Sequence, residues 1–448
     1  MTNTPTSYAK LIVYFSLILF TGILFPHFTF GQSNKTKQLI DEANDNFKSE
    51  DYKEASFNYL ELMQKGHTNA NIQFKLGTCY LNMPGEETKA IPYLEEATKQ
   101  ISLSYKANNV TERKAPLYAL FYLGNAYRIN NQLDKALDCY SKFTKSPGYE
   151  GKYEQNIVET EIKTCERAKI IQDAPITVKW SNLGSVINTP FSETNPVISG
   201  DEKILVFLEE LKFYNAVYVS RKNEDTWLPP ENINSQIISD GDFYPVSMSF
   251  DGNDLYLIKK DKSNSDIYLS HWLGARWSPA KALNGNINSS RQETYASISS
   301  DNKTLYFASN RRDSKGGFDI YMSAKESNGD WGKAENLGKN INGKDDEISP
   351  TISPDGNTLY FSSKGHYNMG GYDIFYSTRN HDGSWSEAAN LGFPINTTND
   401  NIGIQITGNG KTGYISRNVS DGNGKDDIYK VEILSDIKIK SDINKATK

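Results

Sequence analysis

Five tryptophans, Trp180, Trp227, Trp277, Trp331 and Trp385, follow one another at intervals of 47, 50, 54 and 54 residues. A second marker keeps the same beat. The pairs Asp266-Ile267, Asp319-Ile320, Asp373-Ile374 and Asp427-Ile428 are separated by 53, 54 and 54 residues. Two independent anchors on one period define a structural repeat, and a period near fifty without helical spacing fits the blades of a β-propeller. The fullest copy runs from Ser349 to Ser363. It continues through Tyr372-Asp373-Ile374-Phe375-Tyr376-Ser377 and Gly383-Ser384-Trp385 to Ile395-Asn396. Its Leu-Tyr-Phe and Asp-Ile-Phe-Tyr runs are strand formers, apolar on both faces as stacked blades require. Pro354-Asp355-Gly356, Phe250-Asp251-Gly252 and Gly408-Asn409-Gly410 supply tight turns, and Gly316-Gly317 and Gly370-Gly371 mark the next hairpin, so each period encodes four strands.

The phase of the repeat at its ends predicts closure. It opens with Trp180-Ser181-Asn182-Leu183, the last strand of a period, and stops at Asp427 to Val431, the third strand of one. Pairing these ends completes a blade and closes a ring of five, removing two sheet edges. Six blades is the alternative if one degenerate period is hidden.

From Ser33 to about Asp173 the spacing is helical. Three segments share a pattern of small and aromatic residues: Ala43, Phe47, Tyr52, Ala55 and Tyr59; Leu76, Gly77, Tyr80, Ala90, Tyr93 and Ala97; and Leu123-Gly124, Tyr127, Ala136 and Tyr140. Gly124 lets two helices approach, and a further amphipathic stretch with Ile157, Ile162, Cys165 and Ala168 caps the open end. Ile101 to Ala115 is an insertion that is expected to extend a helix before Pro116 restarts the pattern. Cys79, Cys139 and Cys165 all fall in this half. They read as small buried residues, with a Cys139–Cys165 bridge as the alternative that export would permit.

The N-terminus reads as an address. Met1 to Lys10 is polar with one positive charge, Leu11 to Leu24 is almost continuously apolar, and Thr29-Phe30-Gly31 precedes the expected cleavage point. This is the order of a secretory signal, and the apolar run is short for a membrane span.

The spacing of the helical segments resembles the tetratricopeptide (TPR) motif, and the second half resembles WD40-like and TolB-like propeller repeats. The two in this order behind an export signal are similar to the front part of OmpA-family envelope proteins associated with gliding and type IX secretion. The resemblance implies a multidomain α and β protein. Residues 1–31 are the signal peptide, 33–173 a TPR-like helical domain, 176–434 a WD40-like propeller and 435–448 a flexible tail. It also implies a concave helical face that binds protein partners of the cell envelope, with Lys37, Asn44, Thr78, Asn125 and Arg128 as the candidate positions. Peripheral association with the outer membrane or cell wall goes with it.

Enzymatic chemistry finds little support. The histidines are scattered, no metal-ligand spacing occurs, and no cofactor is expected. Gly410-Lys411-Thr412 lacks the earlier glycine of a phosphate loop, Gln405 standing in its place. Asp421 to Asp427 alternates oxygen-bearing residues like a Ca²⁺ loop, but Lys425 replaces a ligand and the segment leads into a strand, so it reads as a turn. A net charge of −6 without a basic stripe excludes nucleic acid as the expected partner. The expectation is a scaffold and not an enzyme, the alternative being an exported propeller that binds or hydrolyses a glycan. Convergent acids, bases or arginines on equivalent innermost strands are what would separate the two.

Overall fold

The computed structural model describes residues 29–435 except 108, 110, 151, 152, 262, 263, 409 and 420. The apolar run of the expected signal, and residues 436–448 of the expected tail, lie outside the described residues. The described chain is a helical N-terminal region followed by a five-bladed propeller.

Two compact units divide at Thr68. The first contains the hairpin of α1 (Thr29–Lys48) and α2 (Tyr52–Gln64), in which the Tyr59 hydroxyl donates to Asn44 Oδ1 at 3.0 Å. Asp51 caps α2 by accepting the Glu54 N–H. The second unit holds everything else. Its helices are α3 (Ala70–Leu81), α4 (Ala90–Thr98), α5 (Ala119–Ile129), α6 (Leu133–Thr144) and α7 (Gln155–Gln172). The α5–α6 hairpin repeats the bond of the first, with the Tyr140 hydroxyl on Asn125 Oδ1 at 2.8 Å. Glycine sets the helix spacing. A methyl group at Gly77 would stand 2.6 Å from Leu94 Cγ, and one at Gly124 would overlap the Tyr140 ring.

One expectation changes here, and one alternative drops out while the expected buried cysteines hold. Residues 101–115 do not extend a helix. Ile101–Ser102 pairs in parallel with Ala115–Pro116, closing a loop whose Tyr105 hydroxyl donates to Asn71 Oδ1 at 2.8 Å. Ala115 precedes a proline, which disfavours helical backbone. The Cys139–Cys165 bridge is also absent: all three cysteines are free and buried, and burial pushes the thiols up to about 12, 11 and 12 for Cys79, Cys139 and Cys165.

Four blades are four-stranded antiparallel meanders with the innermost strand lining the axis, and blade I adds a fifth short strand, Glu231–Asn232, which pairs with its third strand. The innermost strands are Ser192–Ile198, Phe243–Met248, Glu293–Ile298, Glu347–Ile352 and Gln405–Ile406, in blades I to V. Blade V takes its outermost strand, Val178–Asn182, from the start of the ring, where it pairs with Asp427–Ile433 from Ile433↔Val178 to Tyr429↔Asn182. Ring closure therefore has the phase the repeat predicts, with five blades and not six.

The two periodic markers have distinct packing roles. Between every two blades lies one apolar core. Each contains a tryptophan from the outer edge of the later blade, on its outer strand or in a single bridge just before it, and an isoleucine from the loop joining the two: Ile187 with Trp227, Ile233 with Trp277, Ile287 with Trp331, Ile341 with Trp385, and Ile395 with Trp180. The residue after each isoleucine is an asparagine that imitates a strand. Asn342 Oδ1 accepts the Ile320 N–H at 2.8 Å and its Nδ2 donates to Ile320 O at 2.9 Å. Asn288 does the same to Ile267, Asn396 to Ile374 and Asn188 to Ile428. Asn234 bridges Val217 N and Asn215 O. In two of the three Asn-Ile-Asn loops the first asparagine reaches forward, Asn286 to Trp331 O and Asn340 to Trp385 O. The loop is thus tied to the blade behind it and the blade ahead.

An unpaired buried backbone group costs about 1–3 kcal/mol. Asn342→Ala strands two of them, so it is expected to lower unfolding stability by about 2–4 kcal/mol, read as a shift in denaturant midpoint. Deleting residues 179–183 should leave blade V with a bare edge and drive aggregation, seen by light scattering; an unaltered melting profile would contradict ring closure at this strand.

Candidate binding face

The loops that join blade to blade, and those between the second and third strands, share one face of the ring. Helices α3–α7 sit on that face over blades IV and V. Arg128, at the end of α5, donates from Nη1 to Thr398 O at 3.1 Å and pairs through Nε with Glu161 of α7 at 2.7 Å. Thr398 Oγ1 returns a bond to Ile129 O at 3.0 Å. Arg167 of α7 donates to His366 O at 3.2 Å and lies over the Tyr367 ring, 5.6 Å from its centre. The turn between α3 and α4 closes the contact: Gly85 abuts Asn418, and the Glu87 carboxyl is pushed up by burial, with Asp400 and Asp426 adding to the effect.

This arrangement decides where the sequence-derived candidates fall. Lys37 is exposed on α1, and Asn44 and Asn125 each accept a tyrosine hydroxyl within their own hairpin. Thr78 is buried and bonds Phe74 O. Arg128 is 8 % exposed and its guanidinium serves the chain's own propeller. Nothing in the helical repeat signals this, because the partner atoms are 270 residues away.

Beside the helices opens the axial channel. A cavity of about 290 Å³ is lined by Asn195, Pro245, Tyr295 and Ser349, one from each innermost strand of blades I to IV, and by Gly403, two residues before that of blade V, with Asp400 and Asp426 at its mouth. Asn195, Tyr295 and Ser349 have φ of 53°, 43° and 51°, and Gly403 has 72°. In blades I, III and IV these residues sit at the same β-bulge. Left-handed backbone at a non-glycine residue is strained and is found where a side chain is re-aimed. Deeper in, the channel narrows to about 50 Å³ among Ser247, Ser297, Thr351 and Gln405. There Ser247 Oγ accepts the Ile298 N–H at 3.1 Å and Ser297 Oγ the Ile352 N–H at 3.0 Å, linking one blade to the next.

Acids do recur at one position of the innermost strands, a feature the sequence reading overlooked. Glu193, Glu293 and Glu347 are fully buried, and Asn401 holds the place in blade V. Their oxygens are directed at their own loops and not at the channel. Glu293 accepts from Ser289 N, Ser289 Oγ, Ser309 Oγ and Arg311, and Glu347 from Gly343 N and Ser363 Oγ. Asn401 Oδ1 accepts the Thr397 N–H at 2.7 Å in the same way, so the position needs an acceptor more than a charge. The repeated aspartates are turn organisers as well. Asp427 accepts the Asn423 and Gly424 amides, which makes residues 421–427 a turn around a carboxylate. Among the described residues no group of three or more His, Cys, Asp or Glu side chains is placed to hold a metal, and no helix is long and apolar enough to cross a membrane.

No protein-family model and no curated protein matches the chain. Solved structures do resemble it. TolB from Acinetobacter baumannii is 17 % identical over 55 % of this chain and 56 % of its own, with a TM-score of 0.38, so this chain spans about half of that one's length. A thermostable family-43 glycoside hydrolase is 13 % identical over 55 % of this chain and 91 % of its own, at a TM-score of 0.38. An α-L-arabinofuranosidase from Lactobacillus brevis is 14 % identical over 55 % and 92 %, at 0.37. The propeller rests on the strand pairing described above, and no chemistry is carried over from these proteins.

Burial is the main cause that raises Glu347 from 4.5 to about 7 and Asp373 from 3.8 to about 7. A carboxyl whose value is raised by folding stabilises fully below its unfolded value and loses that contribution as pH climbs through the folded one. Unfolding free energy should therefore fall between pH 5 and pH 8, by up to about 1.4 kcal/mol per pH unit for each group, and the melting temperature should fall with it. Glu347→Gln should flatten this slope. Arg128→Ala leaves Glu161 without its cation and is expected to cost about 2–4 kcal/mol, splitting a single calorimetric transition into separate helical and propeller transitions.

Proposed function

We propose that this chain is a non-enzymatic scaffold of the cell envelope, exported to the periplasm or the periplasmic face of the outer membrane, where its helical hairpins and propeller loops hold protein partners. One observation carries the reading. Arg128, Arg167 and Thr398 join α3–α7 to the propeller as one body, while the inner-strand glutamates Glu293 and Glu347 are engaged by their own loops and hairpins. Such a body offers broad contact surface. The finer form of the proposal takes the hairpins as TPR units. It also takes their combination with a WD40-like, TolB-like propeller as that of OmpA-family proteins of type IX secretion and gliding. Lys37 is then the outward candidate for a partner, whereas Arg128 is given over to the internal contact.

The channel mouth favours a second reading, an exported glycan-binding or glycan-hydrolysing propeller, because Tyr295, Asp400 and Asp426 border a cavity of about 290 Å³. Affinity capture from envelope extracts with the exported chain distinguishes the two. The scaffold reading expects specific envelope proteins whose recovery falls with Lys37→Glu and survives Asp400→Asn. Release of sugar from envelope glycans, abolished by Asp400→Asn or Tyr295→Phe, would replace it with the second.

A further inference from the structure

The segment that carries the chain from the ring-closing strand into blade I holds a proton arrangement different from that of blades III and IV. Thr189 Oγ1 lies 2.6 Å from Glu193 Oε1 and 2.8 Å from Glu209 Oε1, and it accepts the Phe191 N–H at 3.1 Å. Both carboxyls are buried, and they stand directly opposite each other on adjacent strands. A hydroxyl has one hydrogen and two lone pairs. One lone pair is taken by Phe191, and the hydrogen can serve only one carboxyl. The other carboxyl meets the remaining lone pair, which is attractive only if that carboxyl brings a hydrogen of its own. The geometry therefore needs one proton shared between the two acids.

The surroundings agree. Glu193 Oε2 is buried and receives no hydrogen bond of good geometry, although the Thr189 N–H lies near it; in blades III and IV the same place gives bonds of 2.7 Å. Those blades carry Ser309 and Ser363 where blade I has Glu209, each donating its hydroxyl to the glutamate opposite. The groups that face the pair add no cation. The Tyr218 hydroxyl hydrogen-bonds Glu209 from the third strand, which favours Glu193 as the acid that keeps the proton; Asp427 faces Glu193 from blade V, and Asp426 accepts the Glu193 N–H through its backbone carbonyl at 2.7 Å. Burial, with the Glu209 and Asp427 charges adding to it, raises Glu193 to about 7. Two carboxylates without a compensating charge cannot both ionise at such a distance without strong repulsion.

The site sits on the seam of the ring. Asn188, one residue before Thr189, staples Ile428, and Phe191 O accepts the Lys425 N–H at 3.1 Å. Gly424 packs so tightly on Phe191 O that a methyl group there would overlap it. We propose that the proton shared by Glu193 and Glu209 through Thr189 is a latch on the closing seam: its loss places two like charges across one hydroxyl and loosens residues 187–192 from blade V.

Amide hydrogen exchange of the full chain between pH 5.5 and 8.5, corrected for intrinsic rates, tests this. Peptides covering residues 178–192 and 424–433 should lose about tenfold or more of their protection across that range, one pK unit being a factor of ten. Glu209→Gln, which keeps the shape and supplies a permanent donor, should hold protection constant. Glu209→Ser, the residue of blades III and IV, should do likewise and serves if the first variant folds poorly. Glu347→Gln should leave the seam profile as in the unaltered chain. Seam protection that is flat with pH in the unaltered chain, or a Glu209→Gln profile that still falls, would overturn the latch.

Discussion

An asparagine side chain standing in for a piece of β-strand is the interaction on which the propeller depends. Blades stacked around an axis meet only through side chains, and a stack held by apolar contact alone could slide. The Ile-Asn loop prevents this by doing two things with adjacent residues. The isoleucine enters the core between two blades, and the asparagine carboxamide closes a two-bond ring, in four of five cases with one residue of the third strand. A carboxamide is suited to this because it presents a donor and an acceptor side by side, as the peptide unit does. Aspartate lacks the donor. Alanine would leave the strand's amide and carbonyl facing the interior unpaired.

On this frame the blades diverge. Blades III and IV pair a glutamate with a serine across the inner hairpin, blade I pairs glutamate with glutamate, and blade V has reduced the glutamate to Asn401. Blade II places Phe243 there instead, packed in the core with blade I. Within the second unit, α3–α7 bear on blades IV and V, while the loops of blade I and of its junction with blade II carry Phe213 and Ile238, among the most exposed large apolar residues. A repeat that is near-symmetric in sequence thus becomes unequal in structure, with the sector of blades IV and V welded to the helices.

The architecture was legible because its two markers, tryptophan and Asp-Ile, are wedge and turn organiser in nearly every blade. Their phase at the ends foretold which strand closes the ring. The Ile-Asn period was equally present, at Ile187, Ile233, Ile287, Ile341 and Ile395. It escaped notice because its chemistry runs to a backbone 22 residues upstream in blade III and 240 residues away at the seam. The buried glutamates were missed for a related reason. Strand-forming glutamate looks like solvent-facing polarity, and only the donors around it reveal an interior position. Arg128 had a motif-based expectation that was chemically reasonable for a helical groove. Its burial depends on Thr398 and Glu161, which no local pattern connects to it. The insertion at residues 101–115 went astray because its loop is closed by two residues of parallel pairing, too short to leave a periodic trace.

The ring-closing strand has a mechanical consequence. The chain enters the propeller at Val178 and its last strand ends at Ile433, and these two residues are neighbours at the same end of one antiparallel ladder. Tension applied between the helices and anything joined beyond Ile433 would load that ladder one rung at a time, in the manner of peeling and not of shearing. The contacts of Arg128 and Arg167 and the Ile176 amide on Phe393 O lie upstream of the first rung and carry the load before it arrives. The welded helices thereby act as strain relief for a clasp only five residues long.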